Sequence, residues 1–262
     1  MISFTLEQLT GWLGQYLWPF VRVLALMGAS PLFSESSIPN QAKIGAAFML
    51  TVALAPGLDP MPAVPLNSYG ALWIVLQQVL IGMAMGLVMR IVFAAVQTAG
   101  EFVGLQMSLS FASLFDPSIG ANTAVLSRLF NIVAVLVFLS LDGHLLMLAT
   151  LARSFEVLPV SLNGLDPNGW GVLLDWSGTI FTAGLLLALP LICSQLTVNL
   201  ALGILNRASP QLTVFAIGFP IHLIGGLILL AVVLPHSGPF FEDQFQAGFR
   251  AMGDLILRLS GR

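Results

Sequence analysis

From Trp176 to Asn206 the chain carries no Asp, Glu, Lys or Arg, and from Ala208 to Phe241 it again carries none. Only Arg207 separates the two runs. About 20 apolar residues suffice for a helix to cross the hydrocarbon of a bilayer, and each run exceeds that. Charge is scarce elsewhere too: Asp, Glu, Lys and Arg make up 8% of the 262 residues, and apolar residues 57%. A soluble domain carries about 25% charged residues, because it must cover itself with groups that bind water. The sequence therefore describes a membrane protein, or a subunit enclosed in a large apolar assembly. Nucleic acid is excluded as a partner: the net charge is −3 and the nine Lys and Arg are scattered. Cys193 is the single cysteine, which excludes an intrachain disulfide and a thiolate metal cluster. Its apolar surroundings read as small-residue packing.

Six apolar segments are expected to be helical: Leu6 to Met27, Ile44 to Ala55, Tyr69 to Thr98, Leu129 to Leu151, and the two charge-free runs. The second is short for a span. Period-2 alternation, the mark of a membrane β-barrel, is lacking, so the predicted class is all-α. Breakers such as Pro56-Gly57, Asp116-Pro117, Asp166-Pro167 and Ser209-Pro210 fall between segments. Pro19, Pro190 and Pro220 lie inside them and are expected to kink or break the helices. Met1 to Leu9 lacks Lys and Arg, so no cleavable signal is expected there.

Polar residues interrupt these segments. Arg90, Gln97, Glu101, Asp142 and His144 are expected to be buried, because a polar group facing lipid is costly. Gly82-x-x-x-Gly86 and Gly100-x-x-x-Gly104 have the spacing that lets helices approach closely. Lys43, Arg90, Arg128 and Arg207 place the first, third and fifth connections on the cytoplasmic side. Near the end, Phe241, Phe245, Phe249, Met252, Ile256 and Leu259 recur at spacings of three and four, opposite Glu242, Asp243, Arg250, Asp254 and Arg258. This is an amphipathic helix, suited to a membrane interface or to a partner surface.

The chemistry of an enzyme is missing. There is no phosphate-binding loop, no nucleophile elbow and no pair of His at metal-ligand spacing. No metal or cofactor is implied. Asp142-Gly143-His144 is the one tight acid–imidazole pair. It reads as a turn in which the imidazole satisfies a neighbouring carbonyl, with a proton relay as the alternative.

Residues 100–122 read GEFVGLQMSLSFASLFDPSIGAN. The stretch is too polar and too rich in glycine for a lipid-facing span, and too apolar for a free surface loop. Met107, Phe111, Leu114 and Phe115 supply bulk, and glycine and serine supply slack. Irregular backbone at membrane depth is tolerated only where protein or a water-filled cavity surrounds it. The composition fits a buried packing loop or a plug that excludes water and hydrated ions.

The ordered set of Leu109-Ser110-Phe111-Ala112 with Asp116-Pro117, Asp142-Gly143-His144, Ser154-Phe155 with Leu158-Pro159, Leu205-Asn206-Arg207-Ala208-Ser209-Pro210-Gln211-Leu212 and Phe215-Ala216-Ile217-Gly218-Phe219-Pro220 resembles the FliR family. Its members are export-gate subunits of the flagellar type III secretion system, and SctT is the virulence-system counterpart. The resemblance implies a core subunit, in one copy, of a helical complex with FliP and FliQ in the bacterial inner membrane at the flagellar basal body. It further implies contact with FlhB and FlhA, lipid around the complex, and unfolded flagellar proteins in transit. Residues 1–165 would be a FliP-like helical part that includes the loop at 100–122. Residues 166–262 would be a FliQ-like hairpin followed by the amphipathic helix. Met107, Phe111, Leu114 and Phe115 would form the pore plug, with Leu114 standing where relatives are expected to carry an aromatic. Arg207, Pro210 and Gln211 would meet a partner at the hairpin tip.

Two other classes stay open on the residues alone. A small-solute or ion transporter would need an intramembrane site, around Arg90, Gln97 and Glu101, and an internal repeat, which is not evident. An intramembrane enzyme would need a second catalytic group near Asp142 and His144.

Overall fold

The structure, a computed structural model, describes residues 6–33, 38–109, 125–208 and 214–261. Among these residues the chain is helical and contains no strand. The helices are α1 (Leu6–Ala29), α2 (Asn40–Leu54), α3 (Tyr69–Gln106), α4 (Val125–Ser140), α5 (Gly143–Val157), α6 (Gly169–Ser177), α7 (Thr179–Ala208), α8 (Val214–Val233) and α9 (Gly238–Leu259). The all-α expectation holds, and the described residues of each predicted segment are mainly helical. The fourth segment differs: it is two helices, bent by 67° at a short break. Asp142 stands at that break with φ 54°, a left-handed conformation that ends α4. Among the described residues three helical stretches are long and apolar enough to cross a membrane, or four if the bent pair is one span.

Local chemistry sets several boundaries. Ser68 precedes α3, and its Oγ accepts the Ala71 N–H at 3.2 Å, capping an otherwise unpaired donor. The three internal prolines do not break their helices, and α1, α7 and α8 each run on through them. At Pro190 the Ser194 Oγ donates to the proline carbonyl at 2.8 Å.

The chain forms two compact units, Met1–Ile91 with Asp142–Ser177 and Gln246–Arg262, and Val92–Leu141 with Gly178–Phe245. In the first, α3 lies against α1 at Gly82 and Gly86. A Cβ on Gly82 would collide with the Arg22 carbonyl oxygen, and one on Gly86 would lie 2.6 Å from the Ala29 Cβ. The first small-residue pattern therefore serves contact within the chain. Gln15 fastens the α2–α3 connection, donating to the Ala55 carbonyl and accepting the Met61 N–H, both at 3.2 Å. Buried Met252, Leu255, Ile256 and Leu259 of α9 complete this core.

In the second unit Phe93, Phe138 and Phe245 form a ring cluster with centroids 5.1–5.6 Å apart. Each such pair adds about 0.5–1.5 kcal/mol beyond its buried area. Here α3 crosses α4 at Gly100, where a Cβ would lie 2.5 Å from the Ser127 Cα. Thus the amphipathic helix α9 spends its apolar face inside its own chain, an outcome different from the membrane interface or partner surface expected of it. Along α3, 61% of the most apolar stretch is buried within the chain, against 22% for the two later spans, so those two present more apolar surface outward.

Candidate functional site

The root of the loop at 100–122 is well formed. Met107 is completely buried. Ser108 takes φ 61°, its N–H bonds the Leu105 carbonyl, and the Leu109 N–H bonds the Gly104 carbonyl, both at 3.1 Å. This is the left-handed cap with crossed bonds that stops a helix, here on serine instead of the usual glycine. Met107 seats on Gly226 of α8: a Cβ there would lie 2.5 Å from the Met107 Cγ and 2.8 Å from the Gln195 Nε2. Beside it, Gln195 Nε2 donates to the His222 carbonyl at 3.1 Å, and His222 Nδ1 lies 2.8 Å from Gln195 Oε1. Because the amide nitrogen already donates, the imidazole must donate to the amide oxygen, which sets its tautomer. Phe111, Leu114 and Phe115 lie outside the described residues.

The polar residues expected inside are distributed otherwise. Arg90, Gln97, Glu101 and Asp142 are exposed on this chain and His144 is half-buried, so their expected burial is not met by the chain's own packing. On α3, Arg90, Gln97 and Glu101 point away from the contacts that Gly82, Gly86 and Gly100 make with α1 and α4. Gln97 Nε2 donates to Asn131 Oδ1 at 2.9 Å. Asp142 makes the turn anticipated for it: its carbonyl accepts the Leu145 and Leu146 N–H groups at 2.9 and 3.1 Å. His144 Nδ1 is enclosed without a hydrogen-bond partner, so neither the relay to Asp142 nor a bond from Nδ1 to a carbonyl is formed. Cys193 is exposed instead of packed. Arg207 is exposed in the last turn of α7, whereas Pro210 and Gln211 lie outside the described residues.

Among the described residues the buried charged side chain is Arg22, which stands with Pro19 inside the first apolar segment. It is fully buried. Its Nε donates to Gln78 Oε1 at 2.7 Å, Nη1 to the Ser154 carbonyl and Oγ at 3.0 Å, and Nη2 to the Leu158 carbonyl at 2.9 Å. Its Cζ lies 4.1 Å from the centroid of the Phe155 ring. The signal for its burial was its helical face: Trp18, Arg22, Leu26 and Ala29 share one stripe of α1, and all four are buried. Among the described residues no group of three or more His, Cys, Asp or Glu side chains is placed to hold a metal.

Comparison with known proteins bears on this helical arrangement. A model of bacterial export proteins, family 1, matches residues 13–248. Flagellar biosynthetic protein FliR of Pectobacterium carotovorum subsp. carotovorum is 45% identical over 260 residues, covering 99% of both chains. The chain belongs to the FliR family of bacterial export proteins. FliR of Escherichia coli strain K12 is 46% identical over 259 residues, again covering 99% of each. FliR of Bacillus subtilis strain 168 is 31% identical over 244 residues, covering 92% of this chain and 94% of the relative. Within this FliR family member, the family motifs around Asp142, Ser154 and Leu158 take part in the bend and in the Arg22 cradle, which gives them an architectural role.

Proposed function

We propose that this chain is the core gate subunit of the flagellar protein export apparatus and that its loop at 100–122 plugs the pore for unfolded flagellar proteins. Membership of the FliR family carries the coarser part, a component of flagellar protein export. The gate reading rests on the loop root: Met107 is buried, and the backbone leaves α3 through a left-handed cap, so bulky residues follow from a firmly anchored stem. The protein has no catalytic task in this reading. Motive force and substrate choice come from partners.

The partners are FliP and FliQ, with FlhB and FlhA on the cytoplasmic side, in the bacterial inner membrane. The outward apolar surface of α7 and α8 supports an obligate assembly, since Leu200, Ile204, Ile224 and Ile228 are all exposed on the single chain. In that assembly 1–165 plays the FliP-like part and 166–262 the FliQ-like hairpin. Affinity purification from mild detergent tests this: the chain is expected to come with FliP and FliQ in a fixed ratio. A folded monomer or homo-oligomer that moves a small solute by itself would overturn the proposal in favour of a transporter.

A further inference from the structure

Gln97, Glu101, Arg128 and Asn131 occupy the two sides of the α3–α4 crossing. Gln97 and Glu101 are one turn apart on α3, Arg128 and Asn131 one turn apart on α4, and the helices touch between them at Gly100 and Ser127. Gln97, Glu101 and Arg128 are exposed, and Asn131 is half-exposed and bonded to Gln97. This polar face belongs to a 38-residue helix whose most apolar window has a mean hydropathy of 2.3.

Lipid cannot be its neighbour, because charged groups facing hydrocarbon cost several kcal/mol each. Nor is the face arranged for a dry protein contact. Glu101 and Arg128 carry opposite charges on one crossing, yet no ion pair within 4.0 Å joins them or ties either to another described residue. Two separate charges enclosed by an apolar partner surface would each lose hydration without a matched counter-charge. The Gln97 amide oxygen and the Asn131 side-chain NH2 group likewise have no partner among the described residues and are left for solvent. Water solvates all of these groups at no such cost.

We infer that this face is a wet wall: in the assembled protein, Gln97, Glu101, Arg128 and Asn131 border the water-filled path along which an unfolded chain passes, directly before the loop root. The inference rests on the gate reading above and adds the surface that borders the path.

Single-cysteine labelling tests it in permeabilised cells, where both faces of the membrane are open to a charged, water-soluble thiol reagent. The background is Cys193→Ser. Gln97→Cys, Glu101→Cys and Asn131→Cys are compared with Leu136→Cys, an exposed apolar position on α4, and with Asp59→Cys as the reactive control. Only variants that assemble at parental yield are scored. Because the thiolate reacts and an apolar site raises the thiol pKa, the three polar positions are expected to label at least about tenfold faster than Leu136→Cys. Slow labelling at all three, with Asp59→Cys reacting normally, would overturn the wet wall. A stalled export substrate fused to a folded domain is expected to protect the three positions. Fast labelling without that protection would leave the face wet but outside the transit path, and would sink the inference as stated. Failure of the gate reading itself is read separately, as loss of FliP and FliQ from the purified complex.

Discussion

Arg22 Nη1 and the Ser154 carbonyl lie 3.0 Å apart although 132 positions separate them in the chain. The cation is fully enclosed and has no carboxylate partner among the described residues. Its charge is balanced by oriented dipoles: the side-chain oxygen of Gln78, two carbonyls at the C-terminal end of α5, and the face of Phe155. A helix C-terminus carries the negative end of its macrodipole, so a guanidinium there is favoured by charge and by bonding to carbonyls, of which that of Ser154 also accepts the Leu158 N–H at 2.9 Å. Ser154 Oγ donates to Leu151 at 2.6 Å and is therefore free to accept from Arg22.

Three helices meet at this one side chain, so its removal should be costly. Arg22→Met leaves the Gln78 side-chain oxygen and the Leu158 carbonyl buried without the Arg22 donors, a loss of about 1–3 kcal/mol for each. Arg22→Lys should not rescue it, because an ammonium cannot reproduce the planar fork that reaches Gln78, Ser154 and Leu158 together. Thermal melting and yield of the purified complex report both changes. Parental behaviour of Arg22→Lys would refute the fork.

Arg22 also marks where sequence reasoning stopped. The helices were legible because long charge-free runs and a 3.6-residue period depend on local sequence alone. The amphipathic face of α9 was legible for the same reason: Phe241, Phe245, Met252, Ile256 and Leu259 are indeed buried. Its destination was not, since the packing of an apolar face depends on residues far along the chain. Which polar groups the chain buries within itself depends on distant residues in the same way. Arg90 and Arg22 look alike as single cations in apolar runs, and only Gln78 and Ser154, distant in sequence, make one of them an interior residue.

Glycine placement yields a sharper contrast. A methyl group at Gly82 would strike the backbone of Arg22 and sit 2.8 Å from the Ala25 Cβ, so Gly82→Ala should force α1 and α3 apart at about 1–3 kcal/mol. Gly253 has nothing within 4 Å of its would-be Cβ. Gly253→Ala should therefore gain about 0.5–1 kcal/mol from helix propensity. Melting temperatures of the two variants, measured side by side, should move in opposite directions.

Arg207 stands exposed in the last turn of α7, where a cation contributes only about 0.3–1 kcal/mol through the helix dipole. Arg207→Glu is thus too mild to unfold the hairpin. On the gate reading this tip meets FlhB, so the substitution should lower motility and FlhB retention while FliP and FliQ still co-purify. Unchanged motility would remove Arg207 from the partner contact. Parallel loss of all three partners would make it a structural residue instead.

The plug reading makes the most specific demand. Phe111 and Leu114 supply bulk a few residues beyond the seated Met107, so a seal would depend on side-chain volume more than on backbone course. Trimming them leaves room for a file of water and hydrated ions. Phe111→Ala with Leu114→Ala should therefore raise ion permeability while the complex assembles at parental yield, and deletion of several residues between Met107 and Phe115 should leak more. A packing loop would respond differently: each large-to-small change would open a cavity costing about 2–5 kcal/mol and lower the yield without conductance. Conductance and yield measured on the same preparations separate the two, because sealing fails without unfolding whereas packing fails without leaking. Normal yield with no leak would remove the loop from the gate altogether.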